Sequence, residues 1–520
     1  MSHFKGRDIV SIDQLTTDEV VYLVDRAERF KAAKRAYNHA GFKGTPIKNQ
    51  LRDLVLAYAF FEPSTRTRIS FLRVAHKEGM DRVGFGSAES TSLKKNESIY
   101  ATLKMLEGFE ADVLTIRHSL DGVAQYAADV LEIPVINAGD GKHEHPTQAL
   151  LDLFSIKETQ GKLDNLSIGL VGDLKYGRTP HSLIKLLRRF EGNRFYLVHP
   201  DQLPLPEEFT HTTDSFGEKK ELPDIAGRIS LDEALRRCNV VYMTRVQAER
   251  MHKQEREEMW DDIQLKEEMF KERSKLNPTL KILHPLPDDK EHPVLPKAFD
   301  KNFPQYAYYL QQAANGLIMR DVLFCAVLGT IGEDFKAGAL GKDFKAIGYV
   351  PPILSEKNTF IELPIKEKKK LEQFEIRPVY TGTVIDHIPA GMAVEIDRRL
   401  FGNGYTRGGI AKAVPSKRMP TKDIMTLVNH ELTEEELSIV AIMAPGVTIN
   451  TVKDGTVVHK YRTQLPDIVT GLLKCKNSEC ISQDDKEVAT SKFYTKQRNP
   501  ATLQCHYCDT MYTEAGKTKR

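Results

Sequence analysis

Long apolar runs are the first feature that this sequence of 520 residues lacks. No stretch approaches the roughly 20 consecutive apolar residues that a bilayer-spanning helix needs, and the N-terminal residues MSHFKGRDIVSIDQL have no apolar core of the kind found in a signal peptide. We therefore expect a cytoplasmic protein with no membrane partner. Apolar residues make up 41% and charged residues 28% of the chain, a mixture typical of folded domains, which excludes disorder over most of its length.

An excess of positive charge is also missing. The 74 lysines and arginines are balanced by 72 aspartates and glutamates, which leaves a formal net charge of +2, and this balance argues against nucleic acid as a partner. The nucleophile-elbow pattern GxSxG, the P-loop and the dinucleotide pattern GxGxxG do not occur in the sequence, so neither nucleotide hydrolysis nor hydride transfer is indicated. Because the overall charge is balanced, any anion-binding site must depend on a local group of cations.

Cysteine is scarce and unevenly distributed. Two of the six cysteines stand alone, whereas the other four form two close pairs near the end of the chain, Cys475, Cys480, Cys505 and Cys508. So few cysteines in a long chain do not make a disulfide framework, and four paired thiolates supply a closed tetrahedral zinc site. Such a site leaves no open coordination position, so we expect one structural zinc ion per chain. The alternatives are four unbound thiols and a nucleic-acid-binding zinc ribbon, which the single short basic cluster KTKR supports poorly.

The first 330 residues repeat one theme, in which a short apolar run leads into a polar loop and then into a segment with helical periodicity. Strands buried on both faces are predicted at 53–60, 111–116, 134–138, 166–172, 194–198, 239–244 and 280–283. This alternation predicts an α/β fold of two tandem doubly wound parallel-sheet domains. A late apolar helix at 310–327 is long enough to pack back across both domains.

Beyond residue 330 the pattern changes. Glycine-rich pieces, the pair Pro351-Pro352 and the charge run IKEKKK indicate a linker, and the next segment has short strands and one predicted helix, TEEELSIVAIMA, which is an α+β pattern. We therefore predict a first α/β domain at 1–149 completed by the helix 310–330, a second at 150–309, a linker at 331–374, an α+β domain at 375–467 and a small zinc domain at 468–520.

Three hydroxyls and two guanidiniums follow one another in STRTR, residues 64–68, at a predicted strand-to-helix turn. Free backbone N–H groups and the positive end of the helix dipole meet at such a turn, so a phosphate group is the ligand that it favours. The plain alternative is an N-cap followed by arginines that face solvent.

Further donors follow other predicted strands. Arg117 and the segment HPTQ at 145–148 provide groups that polarise a carbonyl and stabilise an oxyanion. Arg178, in DLKYGRT, and Arg245 with Gln247, in TRVQ, are suited to a substrate that carries carboxylates. Any one of these arginines by itself would be an ordinary surface ion-pair partner. Because ligands of doubly wound sheets bind at the carboxyl ends of the strands, we expect these motifs to converge.

Four segments, in this order, resemble the carbamoyltransferase family: STRTR, HPTQ, LDNLSIGLVGDLKYGRTPHSL and HPLP, residues 284–287. Members that act on ornithine carry a cysteine in the last segment and an SMG motif, which this chain lacks, so the resemblance is to the branch that acts on aspartate. It implies the carbamoyltransferase fold and a transferase that converts carbamoyl phosphate and L-aspartate to N-carbamoyl-L-aspartate and phosphate, in pyrimidine biosynthesis.

The resemblance also implies roles for individual residues. The carbamoyl phosphate site would consist of Ser64, Thr65, Arg66, Thr67, Arg117, His145, Gln148 and the backbone carbonyls of Leu286 and Pro287. The catalytic residues among them would be Arg66, Thr67, Arg117 and His145. The aspartate site would consist of Lys95, Arg178, Arg245 and Gln247. In this family the active sites lie between the subunits of a trimer, and a neighbouring chain contributes a serine and a lysine, here Ser92 and Lys95. The Leu286-Pro287 peptide bond is expected to be cis.

No side chain in these motifs stands out as a general base, and neither a catalytic metal nor an organic cofactor is implied. We expect the departing phosphate to accept the proton that the attacking amine loses. Two alternatives stay open, carbamoyl transfer to another amine and a non-catalytic scaffold that binds nucleotide.

Residues 375–515 resemble the regulatory chain of the aspartate branch, in GTVIDHIPA, in APGVTIN and in the cysteine spacing. That chain is a separate polypeptide in most relatives, whereas here it is fused behind the catalytic region. The resemblance implies CTP and ATP as effectors, bound by Asp386, His387, Asn450 and Lys460. It also implies a homo-oligomer of catalytic trimers, with two trimers joined through regulatory dimers. Thr426 and Gly455 replace a lysine and a tyrosine of the family's nucleotide site, so a role in assembly alone is the alternative.

Overall fold

The computed structural model describes residues 2–40, 50–87, 97–213, 219–246, 260, 262–338, 360–364, 379–402, 408–416, 418–498 and 501–513. These residues form two compact units. The first unit contains the described residues up to 338 together with Glu479–Ala489, and the second contains the described residues from 360 onward outside that segment. Among the residues so described, no helix has both the length and the apolar character that crossing a bilayer requires.

The first half of the first unit alternates helices and strands. In chain order they are α1 (Thr17–His39), β1 (Val55–Phe60), α2 (Thr65–Glu78), β2 (Asp81–Phe85), α3 (Ile99–Gly108), β3 (Val113–His118), α4 (Val123–Val130), β4 (Val135–Asp140) and α5 (Pro146–Gln160). The four strands form a parallel sheet in the order β2-β1-β3-β4. The chain adds β2 on one side of β1 and then β3 on the other, so the switch point of this sheet, where ligands bind in such folds, lies between β1 and β3.

The second half of the first unit repeats the plan. Its elements are β5 (Ser167–Val171), α6 (Arg178–Leu187), β6 (Arg194–Val198), β7 (His211–Thr213), β8 (Lys219–Glu221), β9 (Ile225–Arg228), α7 (Leu231–Arg237), β10 (Val240–Met243), β11 (Lys281–Leu283), α8 (Phe299–Asn302) and α9 (Tyr309–Val327). Five strands form a parallel sheet in the order β11-β10-β5-β6-β9, and β7 pairs with β8 in a separate hairpin. The switch point lies between β5 and β10. The two parallel sheets confirm the predicted doubly wound architecture.

Burial of apolar side chains explains the strands that the sequence identifies. β4, with the sequence VINAGD, and β10, with the sequence VVYM, are buried at every position, as expected for parallel strands that helices cover on both faces. Helix α9 packs against α1, α2 and α5 and also contacts β11, and Met319, Leu323 and Phe324 of α9 are fully buried. The predicted late helix therefore does pack against both halves of the unit.

Several strands at the margins of the sheets were not predicted. They are β2, β9 and the β7–β8 hairpin. β2 and β9 are edge strands, and their residues are exposed or only half-buried. Because these two edge strands are partly open to solvent, they lack the continuous apolar run by which a buried parallel strand is recognised.

The second unit contains an antiparallel sheet with two helices. Its elements are β12 (Phe360–Glu362), β13 (Gly382–Pro389), α10 (Ala393–Phe401), β14 (Gly408–Pro415), β15 (Thr421–Val428), α11 (Glu434–Met443), β16 (Thr448–Lys453) and β17 (Thr456–Thr463). The strand order is β12-β17-β16-β13-β15-β14, and Ile396 of α10 and Val440 of α11 pack with Ile385 and Met425 of the sheet. This confirms the predicted α+β pattern.

Two features of this unit differ from the sequence-based expectation. Strand β12 lies inside the segment predicted as linker, yet it pairs with β17 in antiparallel register. Helix α10, with the sequence AVEIDRRLF, was not predicted because nine residues contain too few helical turns for its apolar spacing to stand out.

A last small antiparallel sheet follows, and its strands lie side by side in the order in which they occur along the chain. They are β18 (Ile468–Thr470), β19 (Lys492–Arg498), β20 (Ala501–Cys505) and β21 (Met511–Thr513).

Candidate active site

The end of β3 and the segments that follow β1, β4, β5, β10 and β11 line one cavity of about 830 Å³ in the first unit. The predicted site residues that line it are Ser64, Thr65, Arg66, Thr67, Arg117, His145, Gln148, Arg178, Arg245, Leu286 and Pro287. The structure therefore brings together motifs as far apart in the chain as Ser64 and Pro287. Ser92, Lys95 and Gln247 lie outside the described residues.

Helix α2 begins at this cavity. Ser64 is its N-cap residue and has an extended backbone, with φ −153° and ψ 99°, and the N–H of Arg68 donates to the carbonyl of Ser64 at 3.3 Å. The N–H groups of the residues between them precede the first intrahelical bond and point out of the helix end. Burial lowers the pKa of Arg66 below its ordinary value. The helix end therefore offers backbone donors, hydroxyls and a guanidinium to one anion.

Arg117, at the end of β3, shares a carboxylate with Arg178, the first residue of α6. Nη2 of Arg117 lies 3.1 Å from Oε2 of Glu62, and Nη2 of Arg178 lies 3.6 Å from the same oxygen. Arg178 also donates to the carbonyl of Gly141 at 2.5 Å. Burial, and after it the charge of Arg178, lowers the pKa of Arg117 to about 9, so the guanidinium remains a cation at neutral pH. One carboxylate thus holds two guanidiniums at the cavity wall.

The backbone of β4 passes close to these two guanidiniums at Gly139. A Cβ atom at this position would lie 2.8 Å from Nη1 of Arg117 and 3.0 Å from Cζ of Arg178. The backbone dihedral φ of Gly139 is +111°, a value that residues with a side chain rarely adopt. Both the available space and the backbone conformation therefore require glycine beside the arginines.

His145 is the N-cap residue of α5 and is 5% exposed. Its burial is the main reason why the pKa of the imidazole lies well below the usual value for histidine, and the charges of Arg178, Arg117 and Arg320 lower it further. The ring is therefore neutral at pH 7. Nδ1 of His145 lies 3.4 Å from the hydroxyl of Thr147. A neutral ring among three cations is suited to donating a hydrogen bond to a carbonyl oxygen.

The HPLP segment directly follows β11. The Leu286-Pro287 peptide bond is cis, as predicted. The N–H of Leu286 donates to Nδ1 of His284 at 2.7 Å, and the N–H of His284 donates to Oε1 of Gln312 in α9 at 2.8 Å. Burial lowers the pKa of His284 to about 3, so the ring is neutral, and because Nδ1 accepts, its proton is on Nε2. The HPLP segment is therefore held by a hydrogen bond within itself and by a hydrogen bond to α9.

Arg245 reaches the cavity from the loop after β10. Nη1 of Arg245 lies 4.0 Å from Oδ2 of Asp289, and the two side chains are 32% and 29% exposed. Solvent screens an ion pair of this length and exposure. A substrate carboxylate would therefore compete with Asp289 for this guanidinium.

The residues of the cavity wall that were not predicted include Glu62, His284, Gln312 and Arg320. Glu62 stands two positions before STRTR and His284 opens HPLP, so their place beside a predicted motif was the available signal. Gln312 and Arg320 belong to α9, where the apolar pattern indicates a core helix and marks neither side chain as part of a site.

The four predicted metal ligands come together. The Sγ atoms of Cys475, Cys480, Cys505 and Cys508 all lie within 4.8 Å of one another, and all four side chains are buried. The Sγ atoms of Cys475 and Cys508 are 3.6 Å apart. Four sulfurs at about 2.3 Å from a tetrahedral zinc ion lie about 3.8 Å from one another. The cluster therefore has the size of a four-thiolate metal site.

The residues predicted for nucleotide binding lie on adjacent strands of the second unit. Asp386 and His387 belong to β13, and Asn450 of β16 is the register partner of Lys460 of β17. Lys422 of β15 was not predicted, and its Nζ donates to Oδ1 of Asp386 at 2.6 Å. The sheet thus places Lys422 beside Asp386 and Lys460 opposite Asn450.

Known proteins resemble the chain over almost its whole length. The relative named "Protein PyrBI" of Treponema denticola is 32% identical over 98% of this chain and 97% of that protein. The family model "Aspartate/ornithine carbamoyltransferase, carbamoyl-P binding domain" matches residues 7–158, and "Aspartate/ornithine carbamoyltransferase, Asp/Orn binding domain" matches residues 164–327. The aspartate carbamoyltransferase catalytic subunit of Parabacteroides distasonis is 39% identical over 62% of this chain and 98% of that subunit. The chain belongs to the aspartate carbamoyltransferase family.

Aspartate carbamoyltransferases of known structure share the fold of the first unit. Two crystal structures of the Trypanosoma cruzi enzyme, with N-(phosphonacetyl)-L-aspartic acid and with carbamoyl phosphate, are each 30% identical with a TM-score of 0.54, over 63% of this chain and 98% of theirs. Residues 374–464 and 467–516 match "Aspartate carbamoyltransferase regulatory chain", allosteric domain and metal binding domain respectively. The chain is thus a transferase of pyrimidine biosynthesis that carbamoylates L-aspartate, with regulatory and metal-binding domains fused behind its catalytic region.

Proposed function

We propose that the cavity binds carbamoyl phosphate with its phosphoryl group at the N-terminus of α2. Ser64, Thr65, Arg66 and Thr67 would supply the donors to the phosphoryl oxygens. The amide of the ligand would donate to the side chain of Gln148 and to the backbone carbonyls of Leu286 and Pro287. This placement is supported by the helix end and the HPLP segment lining the same cavity, because one ligand of this size then reaches both.

L-Aspartate would bind at the side of the cavity formed by the second α/β domain. In this proposal Arg178 and Arg245 bind its two carboxylates, and Gln247 adds a hydrogen bond. Ser92 and Lys95 would enter from the neighbouring chain of a catalytic trimer. The proposal is supported by the position of Arg178. Its Nη2 lies 3.6 Å from Oε2 of Glu62, which also contacts Arg117, so aspartate and the carbonyl group of carbamoyl phosphate would lie side by side.

The reaction follows from this arrangement. The neutral amine of aspartate attacks the carbonyl carbon of carbamoyl phosphate, and a bond between nitrogen and carbon forms while Thr67, Arg117 and His145 stabilise the negative charge on the carbonyl oxygen. The carbon–oxygen bond to phosphate then breaks, and the phosphate leaves towards Arg66 with the proton that the amine nitrogen loses. The protein contributes mainly by holding two anions in one reactive geometry.

The proton's route is testable by the pH dependence of turnover. Since the phosphate itself accepts the proton, we expect no side chain of the enzyme–substrate complex to titrate as an essential base. His145→Ala should lower turnover without loss of the folded state, because His145 acts on the carbonyl oxygen. A turnover profile that requires an enzymic base, or aggregation of the His145 variant, would contradict these roles.

The observation that carries the whole proposal is the single cavity shared by the α2 helix end and the arginines of the second domain. Competition between acceptors tests it. With carbamoyl phosphate and equal L-aspartate and L-ornithine, we expect carbamoyl aspartate as the product, and succinate should compete with aspartate. Arg178→Gln should raise KM for aspartate much more than for carbamoyl phosphate, and equal effects on both would contradict the assignment.

Zinc is the metal that we propose for the four-cysteine cluster. Four thiolates suit zinc, and the 3.6 Å separation of the Cys475 and Cys508 sulfurs fits a tetrahedral site. Bound there, the ion would supply structure only, because four protein ligands leave no position for a substrate. Cys480 and Cys505 would complete the ligand set.

We further propose the domain boundaries 1–149, 150–309, 331–374, 375–467 and 468–520.

For the regulatory domain we propose binding of CTP or ATP by Asp386, His387, Asn450 and Lys460, within an assembly of catalytic trimers, two of which are joined through regulatory dimers. Lys422 supports a nucleotide site because it adds a cation beside Asp386. Thr426 is buried, and its hydroxyl donates to the carbonyl of Gly409 at 3.2 Å, so it does not supply the nucleotide contact of the lysine that it replaces. Aspartate saturation curves with and without CTP and ATP, on protein of known mass in solution, test both parts.

A further inference from the structure

A carboxylate that the reaction does not use lies directly behind the cavity. Asp152, in α5, is fully buried, and three side chains donate to it. Oδ1 accepts from Nε2 of Gln148 at 2.8 Å and from Nε2 of Gln312 at 2.6 Å, and Oδ2 accepts from the hydroxyl of Tyr242 at 2.6 Å. The partners belong to α5, α9 and β10, so this one side chain joins both α/β domains at the site.

The chemistry of a carboxylate determines how the two amides are turned. An ionised carboxylate only accepts hydrogen bonds, so Gln148 must present its NH2 group to Asp152. The end of the Gln148 side chain that remains for a ligand in the cavity is therefore Oε1. Gln312 is turned in the same sense, because its Oε1 accepts from the N–H of His284 at 2.8 Å.

The second amide extends the network to the HPLP segment. His284 bonds Gln312 through its backbone N–H and bonds the N–H of Leu286 through Nδ1. The backbone carbonyls that follow are the other acceptors assigned to the ligand's amide. Asp152 thus positions both sets of acceptors. It holds the side chain of Gln148 directly, and it holds the HPLP segment through Gln312.

We infer that Asp152 is a positioning residue that makes the enzyme specific for carbamoyl phosphate. It turns oxygens that accept hydrogen bonds, and not groups that donate them, towards the NH2 group of that substrate. This inference rests on the proposed placement of that NH2 group at Gln148 and HPLP. Acetyl phosphate has a methyl group in the same position, which offers no hydrogen and leaves the acceptors without a partner. The enzyme should therefore bind carbamoyl phosphate in preference to acetyl phosphate by means of Asp152.

The charge of Asp152 is compatible with this role. Burial raises its pKa to about 7, while the hydrogen bonds from Tyr242, Gln312 and Gln148 and the charge of Arg320 oppose that rise. Arg320, on α9, stays a cation because its own pKa is lowered only to about 10. At pH 8, above this pKa, the ionised carboxylate is therefore the major form.

The test compares how the whole enzyme discriminates between the two phosphates. The measured quantity is the inhibition constant of acetyl phosphate divided by KM for carbamoyl phosphate, at pH 8. Asp152→Leu keeps the branched shape of the side chain and removes both acceptor oxygens, and we expect it to lower this ratio roughly fivefold to tenfold, the scale of one or two hydrogen bonds. Asp152→Asn keeps Oδ1 as the acceptor of both amides, and we expect it to restore most of the ratio.

Ser155→Ala is the matched control. Ser155 is buried one turn further along α5 and accepts from Nδ2 of Asn315 in α9 at 2.9 Å, so its loss disturbs the same α5–α9 interface without touching the amides. We expect lower stability and an unchanged ratio. If Asp152→Leu does not fold, Gln312→Met answers the same question, because it cuts the link to His284 while Asp152 remains; we expect a reduced ratio.

The outcomes separate this inference from the function on which it rests. A reduced ratio in Asp152→Leu that Asp152→Asn restores supports the positioning role. A wild-type ratio in Asp152→Leu or in Gln312→Met, with stability lost as in Ser155→Ala, overturns it. If Gln148→Ala lowers the ratio and Asp152→Leu does not, only the inference fails. If the unchanged enzyme binds the two phosphates equally well, the proposed site and the inference fail together.

Discussion

Replacing Gly139 with alanine tests whether the close approach of β4 to the two arginines matters for catalysis. The new Cβ would lie 2.8 Å from Nη1 of Arg117, whereas an ordinary contact needs about 3.5 Å. The guanidinium must therefore retreat by about 0.7 Å from the position in which it would stabilise the oxyanion. Since a misplacement of about 1 Å costs on the order of 10²-fold in rate, we expect kcat/KM for carbamoyl phosphate to fall on the order of 30-fold.

A second glycine separates this effect from backbone strain. Gly161, after α5, has φ of +71°, and a Cβ there would meet no atom of the described residues within 4 Å. Alanine costs roughly 1–2 kcal/mol of stability at such a positive φ. We therefore expect Gly161→Ala to lower the free energy of unfolding and to leave kcat/KM as it was.

Steady-state kinetics and urea unfolding of both variants provide the assay. Carbamoyl phosphate is varied at saturating aspartate, and the unfolding midpoints report the change in stability. The reasoning is refuted if Gly139→Ala loses stability to the same extent as Gly161→Ala and retains the kcat/KM of the unchanged enzyme. In that case the position of Arg117 either tolerates the shift or has no part in the chemistry.

Three further perturbations address other parts of the chain. Arg66→Ala should raise the activation barrier for kcat/KM by roughly 3 kcal/mol, the scale of a lost oxyanion donor; steady-state kinetics check this, and an unchanged value would remove Arg66 from the phosphate site. Cys505→Ser should abolish the bound metal because it removes one of four thiolates; elemental analysis of purified protein decides, and one metal ion per chain would contradict the cluster assignment. His181 is buried and donates from Nε2 to the carbonyl of Leu174 at 2.7 Å, and burial lowers its pKa to about 4. As pH falls from 6.5 towards 4 the unfolded chain binds a proton that the folded chain does not, so stability falls. His181→Gln keeps a donor and does not titrate, so its urea midpoint should fall less between pH 7 and pH 5; an equal fall would show that another group is responsible.

Much of the catalytic architecture was predictable because it depends on short spacings. The strand-to-helix turn before Thr65 and the polar ends of β3 and β5 stand next to the apolar runs that identify the strands. The cis bond at Leu286-Pro287 and the roles proposed for the arginines were accessible only through resemblance to a family, since a proline and isolated arginines have many other uses. The edge strands and helix α10 escaped prediction because their apolar signal is weak or short.

The sequence by itself determined the alternation of buried strands and helices, the cluster of hydroxyls and guanidiniums at the start of α2 and the cysteine pairs, because each is encoded by residue types a few positions apart. Only the tertiary structure decided which charged and polar groups meet. Glu62 bridges Arg117 and Arg178, and Asp152 accepts from Tyr242 and Gln312, which lie 90 and 160 residues further along the chain. The physical reason is that hydrogen bonds and ion pairs between elements form only where packing brings the elements within about 3 Å, and no local spacing carries that information.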